Sequence, residues 1–141
     1  MPDRIKNTLS GYLSYRGGQG HFAFLLHRVS GLATIAFLTL HILTTSTVFF
    51  APEWYDTLVV IFSNPIIMAI EIVLAFFVIF HGVNGLRIAY ADLFRPGLWA
   101  RNPTRKAMTA VFFVSVFLWL PALGIMGYAL FTHGLGYFAY P

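Results

Sequence analysis

One imidazole, two glycines and an arginine stand within seven residues of each other in an apolar run, as His81, Gly82, Gly85 and Arg87, and the run closes at Asp92. A histidine inside a membrane span is costly and needs a reason to be there. Small residues beside it let another helix or a flat cofactor approach the backbone. Arg87, six residues or ~9 Å further along a helix, can meet an anionic group at the membrane edge. This combination suggests a porphyrin, with iron on His81 and propionates towards Arg87. The plainer alternative is a histidine hydrogen-bonded to a carbonyl of a neighbouring helix.

Other candidates lie in the preceding apolar run. His41 sits thirteen residues past Arg28, ~20 Å along a helix. Counted from Arg87 and Asp92, His81 is only ~9 to 16 Å from the same membrane edge. Two imidazoles on one iron must come within about 4 Å of each other, because each Fe–N bond is about 2 Å. The difference in depth favours two haems at two levels, each with its second ligand from another chain, over one shared haem. The alternative for His41 is a hydrogen bond to a neighbouring helix or loop. The pair His27-Arg28 opens the same run. It fits simple snorkelling of basic side chains, or contact with a haem propionate or a quinone carbonyl. Ser30 could donate to a small polar ligand or bond back to a carbonyl of its own helix. Glu71 could pair with a neighbour, face water or relay protons near the opposite leaflet. His21 and His133 read as interfacial, and Asp92 as a partner of Arg87 or Arg95.

The elements that position these residues follow from composition. The 141 residues are 58% apolar and 10% charged, against about half and a quarter in soluble domains. Mean hydropathy is +0.74, as expected of a protein that crosses the membrane several times. The length holds about three spans of ~20 residues and leaves no room for a separate soluble domain. The absence of cysteine excludes disulfides, thiolate-held iron–sulfur clusters and cysteine nucleophiles. No hydrolytic triad, phosphate-binding glycine loop or metalloprotease pair is present, and no cleavable signal peptide is visible. The expected architecture is therefore all-α, one membrane-anchor domain over residues 1–141, with spans at about 22–50, 65–91 and 107–131. Pro52 to Ser63 reads as a short interfacial connection carrying Glu53, Trp54, Tyr55 and Asp56. Asn64-Pro65 is an N-cap followed by proline at the first helical position, and Pro121 is expected to kink the third span.

All nine lysines and arginines fall on one side of this arrangement. Arg4, Lys6, Arg16 and Arg28 precede or open the first span. Arg87, Arg95, Arg101, Arg105 and Lys106 close the second or join it to the third. By the positive-inside rule the N-terminus is cytoplasmic (or in the mitochondrial matrix) and the C-terminus is outside. The polar start and the aromatic tail, with Tyr12, Tyr15, Tyr137, Phe138 and Tyr140, are expected at headgroup depth.

Leu25 to Gly31 (LLHRVSG) and Phe80 to Arg87 (FHGVNGLR) with Asp92 resemble the cytochrome b membrane-anchor subunit of succinate dehydrogenase, succinate:quinone oxidoreductase. The segment Tyr15 to Phe24 (YRGGQGHFAF) is similar to the form found in actinobacterial and Thermus-type enzymes. The resemblance covers roughly residues 12 to 95. It implies a haem b-binding half-bundle completed by a second small three-span membrane-anchor subunit, carrying an iron–sulfur subunit and a flavoprotein subunit on the cytoplasmic side of a bacterial inner membrane. Electrons from succinate would pass through flavin and clusters to a quinone, expected to be menaquinone. His81 matches the haem axial ligand, and His41 matches a histidine of the two-haem branch. His27 and Arg28 match positions near the propionates and the quinone pocket, where Ser30 or partner residues could contribute. The sequence departs from many single-haem members at Phe24, where they carry a quinone-contacting serine, and at Ile88, where some carry histidine. Assembly of the complex as a trimer is compatible with this reading; nucleic acid is not expected as a partner. Two alternatives stand beside it: the cytochrome b anchor of another quinone-linked dehydrogenase, and a haem-free anchor or assembly protein.

Overall fold

The computed structural model describes residues 19–95 and 104–134. The expectations for Arg4, Lys6, Tyr12, Tyr15, Arg16, Pro96, Arg101, Pro103, Tyr137, Phe138 and Tyr140, and for the side chains of Arg105 and His133, fall outside the described residues. The described chain is all helical: α1 Gln19–Phe50, α2 Pro52–Phe62, α3 Pro65–Phe94, α4 Thr104–Ala129 and a closing π-helical turn Leu130–Gly134. Three of these helices carry apolar runs long enough to cross a membrane: His21–Phe50, Pro65–Phe94 and Lys106–Thr132.

Each boundary has a local cause. Helix α1 ends at Phe50, since Pro52 has no N–H to continue the ladder; Pro52 instead opens α2, with Ala51 before it as the N-cap. That helix replaces the connection expected from sequence, with Glu53 in its first turn and none of its side chains buried. Asn64 then caps α3 as its spacing predicted. Its side chain accepts from the Ile66 N–H at 2.9 Å, and Pro65 takes the first helical position. In α4 the helix continues through Pro121 to Ala129. Within α1, the hydroxyls of Thr34, Thr45, Ser46 and Thr47 bond back to carbonyls of their own helix at 2.6 to 2.7 Å apart from the bonds of longer reach. In hydrocarbon that is how a hydroxyl is satisfied without water.

The packed seams run along α3, which contacts both α1 and α4. Its buried residues Ile72, Phe80 and Asn84 follow helical spacing. The other buried residues are Ala23 and Ser30 of α1 and Met108, Val111 and Ser115 of α4, the two helices that α3 packs against. Small residues at these seams allow close helix approach where hydrophobic expulsion from water is not available. On the α3–α4 side, Phe76 contacts Phe80, Phe112 and Trp119 with ring centroids 5.7 to 6.3 Å apart. The Trp119 indole N–H donates to the Ile72 carbonyl at 2.9 Å. Most of the large apolar side chains of α1, including Leu32, Ile35, Leu38, Ile42 and Phe49, face outward.

Candidate functional site

The α1–α3 seam gathers the polar residues. The rings of His27 and His81 are stacked, with centroids 4.2 Å apart and planes within 4°. The Nδ1 of His81 lies 3.2 Å from the His27 carbonyl oxygen and 3.4 Å from Ser30 Oγ. A carbonyl only accepts, so this contact requires the proton on Nδ1 and leaves the Nε2 lone pair in the ring plane free. Nε2 makes no hydrogen bond among the described residues. Such a backbone-oriented imidazole is the usual arrangement of a metal-ligating histidine.

The seam is tight because α1 offers a glycine there. A Cβ at Gly31 would lie 2.9 Å from His81 Cε1 and 3.3 Å from Nδ1. A Cβ at Gly85 would meet His27 Cε1 at 3.9 Å, and one at Gly82 would meet nothing within 4 Å. Of the two glycines singled out beside His81, Gly85 faces α1, whereas Gly82 is exposed on the far side. Gly31, read only as part of a motif, is the residue that makes room for the imidazole.

Ser30 has no exposed surface. Its hydroxyl donates to the His27 carbonyl at 3.0 Å, the back-bonding option of the two left open by sequence. His27 Nδ1 is buried and has no hydrogen-bond partner, an unmet polar atom inside an otherwise satisfied cluster. Arg87, one to two turns along α3, is near enough to act electrostatically on His27. Its Nε donates to Asn84 Oδ1 at 3.0 Å. No carboxylate ion pair to Arg87 occurs among the described residues.

Two of the candidates lie outside this cluster. Arg28 is exposed, with its guanidinium carbon 5.2 Å from the centre of the Phe24 ring. Phe24, where a serine was the family expectation, thus carries a cation–π contact. His41 lies further out on α1, stacked on Phe37 at 5.6 Å, in an apolar groove of about 290 Å³ between α1 and α3. Glu71, Ala33, Ala36 and Thr44 line the same groove, and Glu71 is within electrostatic reach of His41.

Within this cluster the ring nitrogen that could hold an axially ligated planar cofactor is His81 Nε2. His27 and His81 cannot bind one iron from opposite sides, because stacked rings direct their in-plane lone pairs side by side rather than at each other. Among the described residues no group of three or more potential ligands gathers to hold a bare metal ion.

Residues 7–122 match the family model described as the succinate dehydrogenase/fumarate reductase transmembrane subunit. The chain belongs to this family. It is also 30% identical over 121 residues to the succinate dehydrogenase 2 membrane subunit SdhC of Mycobacterium tuberculosis (strain ATCC 25618 / H37Rv), covering 84% of this chain and 85% of that protein. The matched region holds all of α1 to α3 and most of α4, and with them the whole His27–His81 cluster and the His41 groove. The chain is therefore an integral membrane subunit of the succinate dehydrogenase/fumarate reductase type, and the helices that carry its polar residues are its membrane spans.

Proposed function

We propose that this membrane subunit binds haem b through His81 and positions electron transfer between iron–sulfur clusters and a membrane quinone. The observation that carries the reading is the His81 Nδ1 contact to the His27 carbonyl, which fixes the tautomer and leaves Nε2 as a free in-plane donor. When bound, the haem supplies one-electron chemistry. The protein supplies position: Gly31 seats the imidazole, His27 stacks on it, Ser30 bonds to the carbonyl behind it, and Arg87 offers positive charge towards propionates. His41 is proposed as the ligand of a second haem at the outer groove. His27 and Arg28 are proposed to face the quinone, taken as menaquinone, with Ser30 supporting His27 from behind.

The reading includes partners. The outward apolar face of α1 is proposed to meet lipid and a second small membrane-anchor subunit. Iron–sulfur and flavoprotein subunits are proposed on the cytoplasmic side of a bacterial inner membrane. The mycobacterial source of the related subunit supports that location.

A second reading has its own observation. The His81–His27 contact also satisfies one nitrogen of a purely structural histidine, as in a haem-free anchor. A pyridine haemochrome assay on the intact purified complex, normalised to covalent flavin, decides between them. Two haems per flavin support ligation by both His81 and His41. One leaves His81 as the ligand and returns His41 to a packing role. None removes haem from the function while leaving the anchor role.

A further inference from the structure

Asn84 is only 1% exposed, and it lies within a membrane-spanning helix, three residues before Arg87. Burying an amide in such a place is unfavourable unless the amide bonds to something. Its Oδ1 accepts from Arg87 Nε at 3.0 Å, one helical turn away. The assignment of oxygen rather than nitrogen to this contact is forced, because a guanidinium only donates. An Nε bond fixes the plane of the guanidinium fork and leaves the four N–H groups of its two Nη atoms for a ligand. Arg87 makes no other hydrogen bond among the described residues. It is within electrostatic reach of His27, one member of the stacked pair. A cation fixed by Asn84 with its fork unspent, six residues along α3 from a ring nitrogen free to ligate, suits a planar anionic oxygen group.

We propose that Asn84 is a positioning residue that orients Arg87 for a carboxylate ligand, a haem propionate on the haem reading above, on which the assignment rests. Asn84 does not touch the ligand; it sets where the guanidinium points. Its role is therefore separable from charge. Arg87→Lys keeps the charge and loses the fork, whereas Asn84→Leu keeps the branching at Cγ and loses the acceptor.

The test uses the complete purified complex of wild type, Asn84→Leu, Arg87→Lys, Arg87→Gln and the double variant Asn84→Leu/Arg87→Gln. Haem per flavin and the haem reduction midpoint are read by spectroscopic titration. The expected result is a midpoint shifted to more negative potential in Arg87→Gln, a smaller shift the same way in Asn84→Leu and Arg87→Lys, and no further shift in the double variant. Additive shifts, or a wild-type midpoint in Asn84→Leu and Arg87→Lys beside a shifted Arg87→Gln, overturn the positioning role. A raised KM for quinone with an unmoved midpoint assigns the guanidinium to quinone and also overturns it. If Asn84→Leu does not assemble, Arg87→Lys decides alone, since it leaves the buried amide in place. A wild-type complex without haem overturns the haem reading and this proposal together; a haem present but indifferent to these variants overturns only the proposal.

Discussion

Adding one methyl group at Gly31 is the sharpest perturbation available. The Cβ of Gly31→Ala would stand 2.9 Å from His81 Cε1. Carbon atoms pack at about 3.5 to 4.0 Å, so the ring must retreat from α1 by roughly 0.6 to 1 Å. Its anchor is on the same helix: the Nδ1 contact to the His27 carbonyl is already 3.2 Å. The same retreat takes that contact past the roughly 3.5 Å at which a hydrogen bond is lost. It also slides the ring off its 4.2 Å stack on His27. Overpacking of this kind costs about 1–3 kcal/mol, while alanine in place of a mid-helix glycine returns about 0.5–1 kcal/mol. The net cost to stability is about 0–2.5 kcal/mol, and the orientation of the imidazole should change with it. At about 1.4 kcal/mol per tenfold, a net penalty on the ligating geometry of that order lowers haem affinity about tenfold. Gly82→Ala gains the same helix preference and meets nothing within 4 Å, so it should keep wild-type haem. The assay is haem b per covalent flavin and the reduced-minus-oxidised spectrum of each purified complex. Wild-type haem content and band position in Gly31→Ala, or equal losses in both variants, would refute the role given to the α1–α3 seam.

Two further outcomes test parts of the same picture. Trp119→Phe removes the indole bond to the Ile72 carbonyl and should lower the thermal stability of the anchor by about 0.5–1.5 kcal/mol, with haem content unchanged; a changed haem spectrum would mean that the α3–α4 seam reaches the site. Arg28→Gln loses the contact with Phe24, outside the His27–His81 cluster. It should raise the KM for quinone and leave the haem spectrum where it was, and the reverse pattern would move Arg28 to the propionates.

How much of this was readable from residues alone depends on whether the signal was local. Apolar run length located the three spanning helices, and Asn64-Pro65 located the start of α3 to the residue, because caps act within one turn. The helix Pro52–Phe62 was missed although Pro52 and Glu53 are ordinary helix-start residues. Trp54 and Tyr55 beside two carboxylates read equally well as an interfacial turn. His81 stood out as a lone imidazole in hydrocarbon. Its neighbours did not, because the stack on His27 depends on the register between α1 and α3, which no spacing within either helix contains. For the same reason Gly82, adjacent in sequence, drew the attention that Gly31, fifty residues away, deserved on structural grounds. Asn84 carried a usable signal that went unread: a buried amide in a span is as much in need of a partner as a histidine.

That register also bears on the number of sites. Gly31 lies against His81, and His27 lies against Gly85. Ten residues further along α1 and ten residues back along α3, His41 and Glu71 share one groove, as antiparallel helices require. Ten residues of helix separate the two levels by ~15 Å, a distance now set by side-chain contacts instead of by counting from the charged ends. Changes so far apart with no shared partners should act independently. His81→Ala should therefore remove one b-type signal and keep the other, His41→Ala should remove about half the haem and keep the His81 signal, and the double variant should lose both. Complete loss of haem from either single variant, in a complex that still assembles, would mean that the two imidazoles serve one cofactor and that the register in the assembled complex differs from the one described.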